Sequence, residues 1–316
     1  MEKRQLGRSG IQISPLVLGT NVFGWTADRP TAFAILDRFA AAGFEAIDTA
    51  DVYSAWAPGN RGGESEAIIG EWMASRARRH DTIVVTKVGS EMGPGQKGLS
   101  ADYIPKAIDA SLRRLKTDYV DIYLSHWPDP SVSFEETLGA YQKLLQAGKI
   151  REVGASNLDA EQLRDALHVA ASHGLPRYAI LQPEYNLYDR SGFEGALRDL
   201  VAAEKIDVIT YYSLGKGFLS GKYRSGADLG QSARGGGVKK YLNERGSRIL
   251  AALDEVSAEH GAQPAEVALA WLIARPGVTA PIASATSVAQ VESLVRSAAL
   301  ELTDADMARL NAASQP

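Results

Sequence analysis

Short apolar runs rich in β-branched residues alternate along this chain with longer stretches whose apolar positions recur every three to four residues. The runs are LVLG (16–19), FEAID (44–48), TIVVTK (82–87), VDIYLS (120–125), IREVGAS (150–156), YAILQP (178–183), IDVITYY (206–212) and GVTAPIA (277–283), eight strand candidates in all. Between most of them lie helical stretches such as IPKAIDASLRRL, SFEETLGAYQKLLQAG and DAEQLRDALHVAASHG, which end in Gly or basic residues. Alternation of this kind predicts βαβ units and a parallel sheet, and runs so continuously apolar predict strands buried on both faces. Ahead of the first strand, RQL and IQIS flank GRSG, which predicts a small hairpin capping the floor of a barrel. One long irregular segment, 220–246, is rich in Gly, Ser and cations and reads as a lid loop.

The pattern changes character where three strands end. Asp48 closes FEAID, with Tyr53 five residues on; Lys87 closes TIVVTK; His126 follows VDIYLS. The step from Asp48 to Lys87 (87−48) and from Lys87 to His126 (126−87) is 39 residues each time, about one strand, one helix and two loops. In barrels of parallel strands the C-terminal strand ends carry the chemistry. A carboxylate, a phenol, an ammonium and an imidazole thus converge on one rim.

Composition narrows the classes. With 316 residues, 45% hydrophobic and 23% charged, the chain suits one globular domain spanning 1–316, since α/β barrels reach this size as single domains. A formal net charge of −4 gives no footprint for nucleic acid or an anionic membrane. The absence of cysteine removes thiol nucleophiles, disulfides and thiolate-bound zinc. MEKRQLGRSG has no apolar signal core, and no run approaches the roughly 18 apolar residues of a membrane helix, so the expected location is the cytoplasm.

Taken singly, each rim residue has a plain structural reading. Asp48 can cap a turn, Tyr53 can pack on the rim, and Lys87 can pair with Asp48 inside the fold. What adds to them is their conjunction. A cation beside a phenol favours the phenolate and lowers its pKa from about 10, so Lys87 is expected to ready Tyr53 for proton donation near neutral pH. His80, His168, His173 and His260 fall in helix or helix-end contexts and are expected to be solvated. Neither HExxH nor a close His and carboxylate cluster occurs, so no metal is expected. GKGFLSG (215–221) follows the seventh strand, where barrels bind phosphate on backbone amides.

Together LGTNVFG (18–24), IDTADVYS (47–54), GGESEAIIGEW (62–72), TKVG (86–89), SLRRLKTDYVDIYLSHWPDP (111–130), GKIREVGASN (148–157), LQPEYNL (181–187) and YYSLGKGFLSGKYR (211–224) resemble the aldo-keto reductase superfamily over nearly the whole chain. That resemblance implies a (β/α)8 TIM barrel and NAD(P)H-dependent interconversion of a carbonyl and an alcohol. It implies a catalytic tetrad at Asp48, Tyr53, Lys87 and His126. Tyr53 would be the general acid, Lys87 and Asp48 its tuning pair, and His126 the group that orients the carbonyl.

The same resemblance assigns cofactor contacts to Gly19, Thr20 and Asn21, to Asp48, to Ser156, Asn157 and Gln182, to Tyr211 as the ring that stacks on nicotinamide, and to Tyr212, Ser213, Leu214, Gly215 and Lys216. Ser284, Thr286 and Gln290 fall in the segment that holds the adenosine 2′-phosphate in relatives. Lys and Arg are missing there, and Ser293 and Leu294 replace the adenine-holding Glu and Asn. NADP(H) is the family habit; NAD(H) or dual use is the alternative, unless Lys216, Arg234, Lys239 or Lys240 brings charge from the lid. Trp25, Trp56 and Trp127 flank the motifs and suggest an apolar or flat carbonyl substrate, whereas Trp72 and Trp271 lie in helices as core. Two competing readings are a Schiff-base barrel in which Lys87 attacks a carbonyl, and a nicotinamide-binding regulatory or channel-associated subunit.

Overall fold

The computed structural model describes residues 2–315. Its strands are β1 (Arg4–Leu6), β2 (Ile11–Ile13), β3 (Val17–Gly19), β4 (Ala46–Asp48), β5 (Ile83–Val88), β6 (Val120–Ser125), β7 (Ile150–Ser156), β8 (Ile180–Gln182), β9 (Asp207–Thr210) and β10 (Ala280–Ser284). β3 to β10 form a closed parallel barrel in the order β10-β3-β4-β5-β6-β7-β8-β9. Around it stand α1 (Arg29–Ala41), α2 (Glu64–Arg76), α3 (Ile104–Leu115), α4 (Phe134–Gln146), α5 (Ala160–His173), α6 (Ala196–Glu204), α7 (Glu244–His260), α8 (Pro264–Ala274), α9 (Val288–Ser297) and α10 (Asp304–Ala313). The architecture is the (β/α)8 barrel that the resemblance implies, built from the parallel strands that the alternating pattern predicts. No helix among the described residues is long and apolar enough to cross a membrane.

Local chemistry explains the elements. In α3, Ile104, Ala107, Ile108, Ser111, Leu112 and Leu115 are buried, a three-to-four spacing that turns one face to the barrel. A reciprocal capping box between Asp159 and Gln162 starts α5, and Gly174 in the left-handed region ends it. Strands β5 and β6 are buried along almost their whole length because the barrel interior lies on one side and the helices on the other.

Side chains alternate along a strand, so one residue in two points inward. The inner core contains Val17, Ala46, Val85, Leu124, Ile180, Ile209 and Ile282. Two positions on from these, at the C-terminal mouth, stand Gly19, Asp48, Lys87, His126, Gln182, Tyr211 and Ser284. The same parity that fills the barrel with aliphatic groups therefore aims the polar residues into its mouth.

At the opposite end the hairpin β1-β2 closes the floor, as expected. Leu6, Ile11 and Ile13 join the inner core, and the turn amides of Gly7 and of Arg8 and Ser9 donate to Asp207 and Glu152 respectively. The strand expected over 206–212 stops at Thr210, because Tyr212 adopts a left-handed φ of 50°. The strand expected over 277–283 starts only at Ala280, after a turn at Gly277 with φ 84°.

The segment 220–246 departs further from expectation. It is not one irregular stretch but a set of 3-10 turns, Gly226–Gln231 and Gly235–Tyr241 following Gly215–Ser220, before α7 begins at Glu244. Tyr223, Val238 and Tyr241 within it are fully buried, and that burial holds the turns in place. His260 is also unlike the exposed histidines: its Nε2 lies 2.9 Å from Asp306, and with Thr303 it holds that carboxyl down at about 2 against the effect of burial.

Candidate active site

Four strands deliver the centre of the mouth. Lys87 Nζ donates to Asp48 Oδ2 at 2.8 Å, to the Thr49 carbonyl at 2.7 Å and to Tyr53 Oη at 2.9 Å. Tyr53 in turn lies 3.2 Å from Asp48 Oδ2, and Gln182 Nε2 donates to Asp48 Oδ1 at 2.8 Å. The ammonium is wholly buried, and an ammonium has only three N–H groups to give. Every one of them is engaged.

The expected lowering of the Tyr53 pKa is reversed. Burial, then the Asp48 carboxylate, push the phenol well above its ordinary value. Lys87 does not offset this, because its charge is shared with Asp48 and burial itself lowers the lysine. Tyr53 is consequently a phenol that stays protonated at neutral pH, beside a cation able to stabilise the phenolate once the proton has left.

His126 is held by its backbone, whose N–H donates to the Val88 carbonyl at 2.8 Å and whose carbonyl accepts from Asn157 Nδ2 at 2.8 Å. Burial, then Lys87, push its imidazole down to about 3, so the ring is neutral. Its Nδ1 lies 3.1 Å from Ser90 Oγ. If Ser90 donates there, Nε2 carries the proton and becomes the donor toward the mouth. Sequence reasoning missed Ser90, although a hydroxyl three residues past Lys87, beside a strand end, is the signal that could have found it. Thr49 was also missed, and a backbone carbonyl leaves no trace in sequence.

Aromatic rings wall the opening. The Trp25 and Trp56 rings meet edge to face at 5.9 Å, Tyr53 and Trp56 at 6.0 Å, and the Trp127 ring stacks on His126 at 5.8 Å. Trp56 and Trp127 remain 48% and 50% exposed, so they border the mouth. Trp72 and Trp271 are buried, in line with their reading as core.

Next to the tetrad, Ser156 Oγ donates to the Gln182 carbonyl at 2.7 Å, Asn157 Nδ2 reaches Ser156 Oγ at 3.0 Å, and Tyr211 Oη donates to Asn157 Oδ1 at 2.7 Å. These form one network with His126 and Asp48. Beyond them the backbone takes left-handed φ values at Tyr212 (50°), Gly215 (54°), Lys216 (58°) and Gly217 (100°). Within this turn the Gly215 and Gly217 amides donate to the Tyr212 and Leu214 carbonyls, at 2.7 and 2.9 Å. Lys216 Nζ stands 4.9 Å over the Tyr212 ring, and Asn186 Nδ2, within LQPEYNL but given no role from sequence, supports the Tyr212 carbonyl at 3.0 Å.

Some expected contact residues face inward. Thr20 is fully buried, its hydroxyl donating to the Asp48 carbonyl at 2.8 Å and sitting 2.7 Å from Ser65 Oγ, so it braces β4 instead of presenting a hydroxyl. Ser213 Oγ donates to the Thr210 carbonyl at 3.0 Å, and Leu214 packs partly buried against the core. Gly19 is required sterically, since a Cβ there would lie 2.9 Å from Ile282 and Ser284.

At the far side Asn21 Oδ1 accepts from Ser284 Oγ at 2.8 Å and from Arg234 Nη2 at 3.0 Å, while Thr286 donates twice to Gln290 Oε1. Arg234 thus reaches from the 3-10 turns across the mouth to the Ser284 segment. Lys240 instead pairs with Asp189 at 3.1 Å, and Lys239 is exposed.

A sequence profile described as the aldo/keto reductase family matches residues 15–315. "Protein tas" of Escherichia coli (strain K12) is 32% identical over 340 aligned residues, covering 100% of this chain and 98% of that protein. Norsolorinic acid reductase stcV of Emericella nidulans is 32% identical over 315 residues, covering 95% and 78% of the two chains. A probable voltage-gated potassium channel subunit beta of Oryza sativa subsp. japonica is 33% identical over 299 residues, covering 92% and 89%.

Proposed function

Because the chain belongs to the aldo/keto reductase family, whose members are oxidoreductases that generally use NAD(P)H, we propose that it reduces an aldehyde or ketone to the alcohol, reversibly, with Tyr53 as the acid. The observation that carries this reading is the single ammonium of Lys87 bonded at once to Asp48 and to the Tyr53 oxygen. A bound reduced nicotinamide supplies the hydride. Tyr53 gives its proton to the oxygen that becomes negative, and Lys87 stabilises the phenolate left behind. His126, neutral, donates through Nε2 to the same oxygen and so fixes the carbonyl's orientation. In oxidation the Tyr53 phenolate takes the proton back.

The residues present fit the cofactor. Asn157 and Gln182 offer amide groups beside Asp48, Tyr211 offers a ring, and Lys216, in the turn after β9, offers an ammonium to a pyrophosphate. Ser284, Thr286 and Gln290 lack a cation, and Arg234 is the guanidinium that approaches them through Asn21. This favours NADP(H), with Arg234 facing the 2′-phosphate. The rim of Trp25, Trp56 and Trp127 favours an apolar or flat carbonyl substrate.

Lys87 makes a poor Schiff-base nucleophile, since it is fully buried and all its donors are engaged. A regulatory role has one supporting observation, the relative named as a channel β subunit. The complete tetrad favours catalysis.

The test is turnover of aldehydes, quinones, ketosteroids and sugars with each cofactor, alongside fluorescence titration of NADPH and NADH. NADPH should bind more tightly, and Arg234→Ala should reduce that preference by roughly tenfold or more. Tighter binding of NADH, or an unchanged ratio in the variant, would reject the assignment of Arg234. Cofactor binding with no turnover of any carbonyl would favour the regulatory reading.

A further inference from the structure

Helix α3 carries two cations that the barrel does not use. Lys106, Ala110 and Arg113 follow one another at i, i+4 and i+7, so a single methyl group stands between two long basic side chains on one stripe. Opposite them runs the loop after β5, with Met92 and Lys97. Between helix and loop lies a cavity of about 420 Å³, within the roughly 300–1,000 Å³ typical of small-molecule sites. The short side chains of Ala107 and Ala110 leave that room. None of Tyr53, Lys87, His126 or the rim tryptophans lines it, so it is separate from the barrel mouth.

Charge decides what such a cavity can hold. Lys97, Lys106, Arg113 and Arg114 line it against Asp102 and Asp51. Asp51 adds no negative charge at neutral pH: both its oxygens are buried without a hydrogen-bond partner, and burial, then the charge of Glu66, push its carboxyl up to about 8. Arg114 donates to Glu66 at 2.7 Å, and Glu91 lies 3.9 Å from Lys97. Among the described residues neither Lys106 nor Arg113 pairs with an acid. With Asp102 as the one ionised acid among the described lining residues, the wall is positive in a chain whose formal net charge is −4. A concave positive wall concentrates anions.

We propose that this cavity is a second binding site, for a small phosphate monoester whose phosphate lies over Ala110 between Lys106 and Arg113. Lys97 adds charge from the opposite wall, and the ester's apolar body lies against Met92, Ala107 and the Tyr103 ring. A carboxylate or sulfonate brings one negative charge. A phosphate monoester brings about −1.5 to −2 at pH 7 with three acceptor oxygens, enough to answer Lys106 and Arg113 together.

The probe is phenyl phosphate, titrated calorimetrically into the full chain beside benzenesulfonate, which keeps the ring with a single charge, and inorganic phosphate, which lacks the ring. Saturable binding of phenyl phosphate is expected, roughly tenfold or more tighter than either control. The double variant Lys106→Ala with Arg113→Ala, at two exposed positions of α3, should weaken it by a similar factor. Ala110→Leu, which fills the cavity and keeps every charge, should abolish it, and Arg234→Ala in the barrel mouth should leave it unchanged. No saturable binding, or binding unchanged in the double variant, would overturn the proposal. So would binding that survives Ala110→Leu, which is attraction to surface charge alone, or binding lost in Arg234→Ala, which places the phosphate in the mouth. Inorganic phosphate or benzenesulfonate binding as tightly as phenyl phosphate would overturn it as well.

Discussion

Asp48 closes β4 and Asp51 lies three residues on in the connection to α2, both buried, and the fold treats them in opposite ways. Asp48 accepts from Lys87, Tyr53 and Gln182, whereas Asp51 accepts from no group. Inward parity accounts for part of this. Asp48 follows Ala46 on the inner face, where β5 and β8 bring a lysine and a glutamine to meet it. Asp51 lies beyond the strand, on the shoulder between barrel and helices, where the Arg114 guanidinium donates to Glu66 and Ser111. The comparison teaches that a buried carboxylate is set by the partners that the topology delivers, not by its depth.

The largest way to break the contrast is Asp48→Asn. It strands the Lys87 ammonium without its counter-charge, and urea unfolding should report a loss of about 3–5 kcal/mol. Asp51→Asn should act the other way. The Asp51 carboxyl is raised to about 8, against an ordinary value of about 3.9. Between those limits the unfolded chain releases a proton that the folded chain keeps, so stability falls as pH rises. The variant's stability relative to the parent should therefore grow from pH 5 to pH 7, by up to about 1.36 kcal/mol per pH unit. A flat difference would mean that Asp51 is paired in solution.

Ser90→Ala sharpens the mouth side. Losing one neutral hydrogen bond should lower kcat by up to about tenfold with little change in cofactor affinity, and nitrogen NMR should report a mixed His126 tautomer. The smallest effect is a null one. Since His126 is held near 3, the reduction rate should show no step near pH 6.5, and a step abolished by His126→Gln would contradict a neutral imidazole.

The barrel and the tetrad were legible because parallel strands buried on both faces read as unbroken apolar runs, which makes a polar residue at the end conspicuous. Asp48, Lys87 and His126 stood out for that reason. The segment 220–246 did not, because 3-10 turns pinned by Tyr223, Val238 and Tyr241 have no periodicity that composition reveals. The direction of the Tyr53 shift was read wrongly, since sequence names the cation beside a phenol but not the burial that outweighs it. Asp51 looked like part of a motif; only the hydrogen bonds of Lys87 and Arg114 reveal that it is left over.

The central claim is that Tyr53 gives the proton. It is tested most directly by Tyr53→Phe, with single-turnover reduction of a carbonyl and fluorescence titration of NADPH measured on the same sample. The account predicts a rate lower by about 10²–10⁴-fold with cofactor affinity retained. Undiminished reduction by the phenylalanine variant would contradict it.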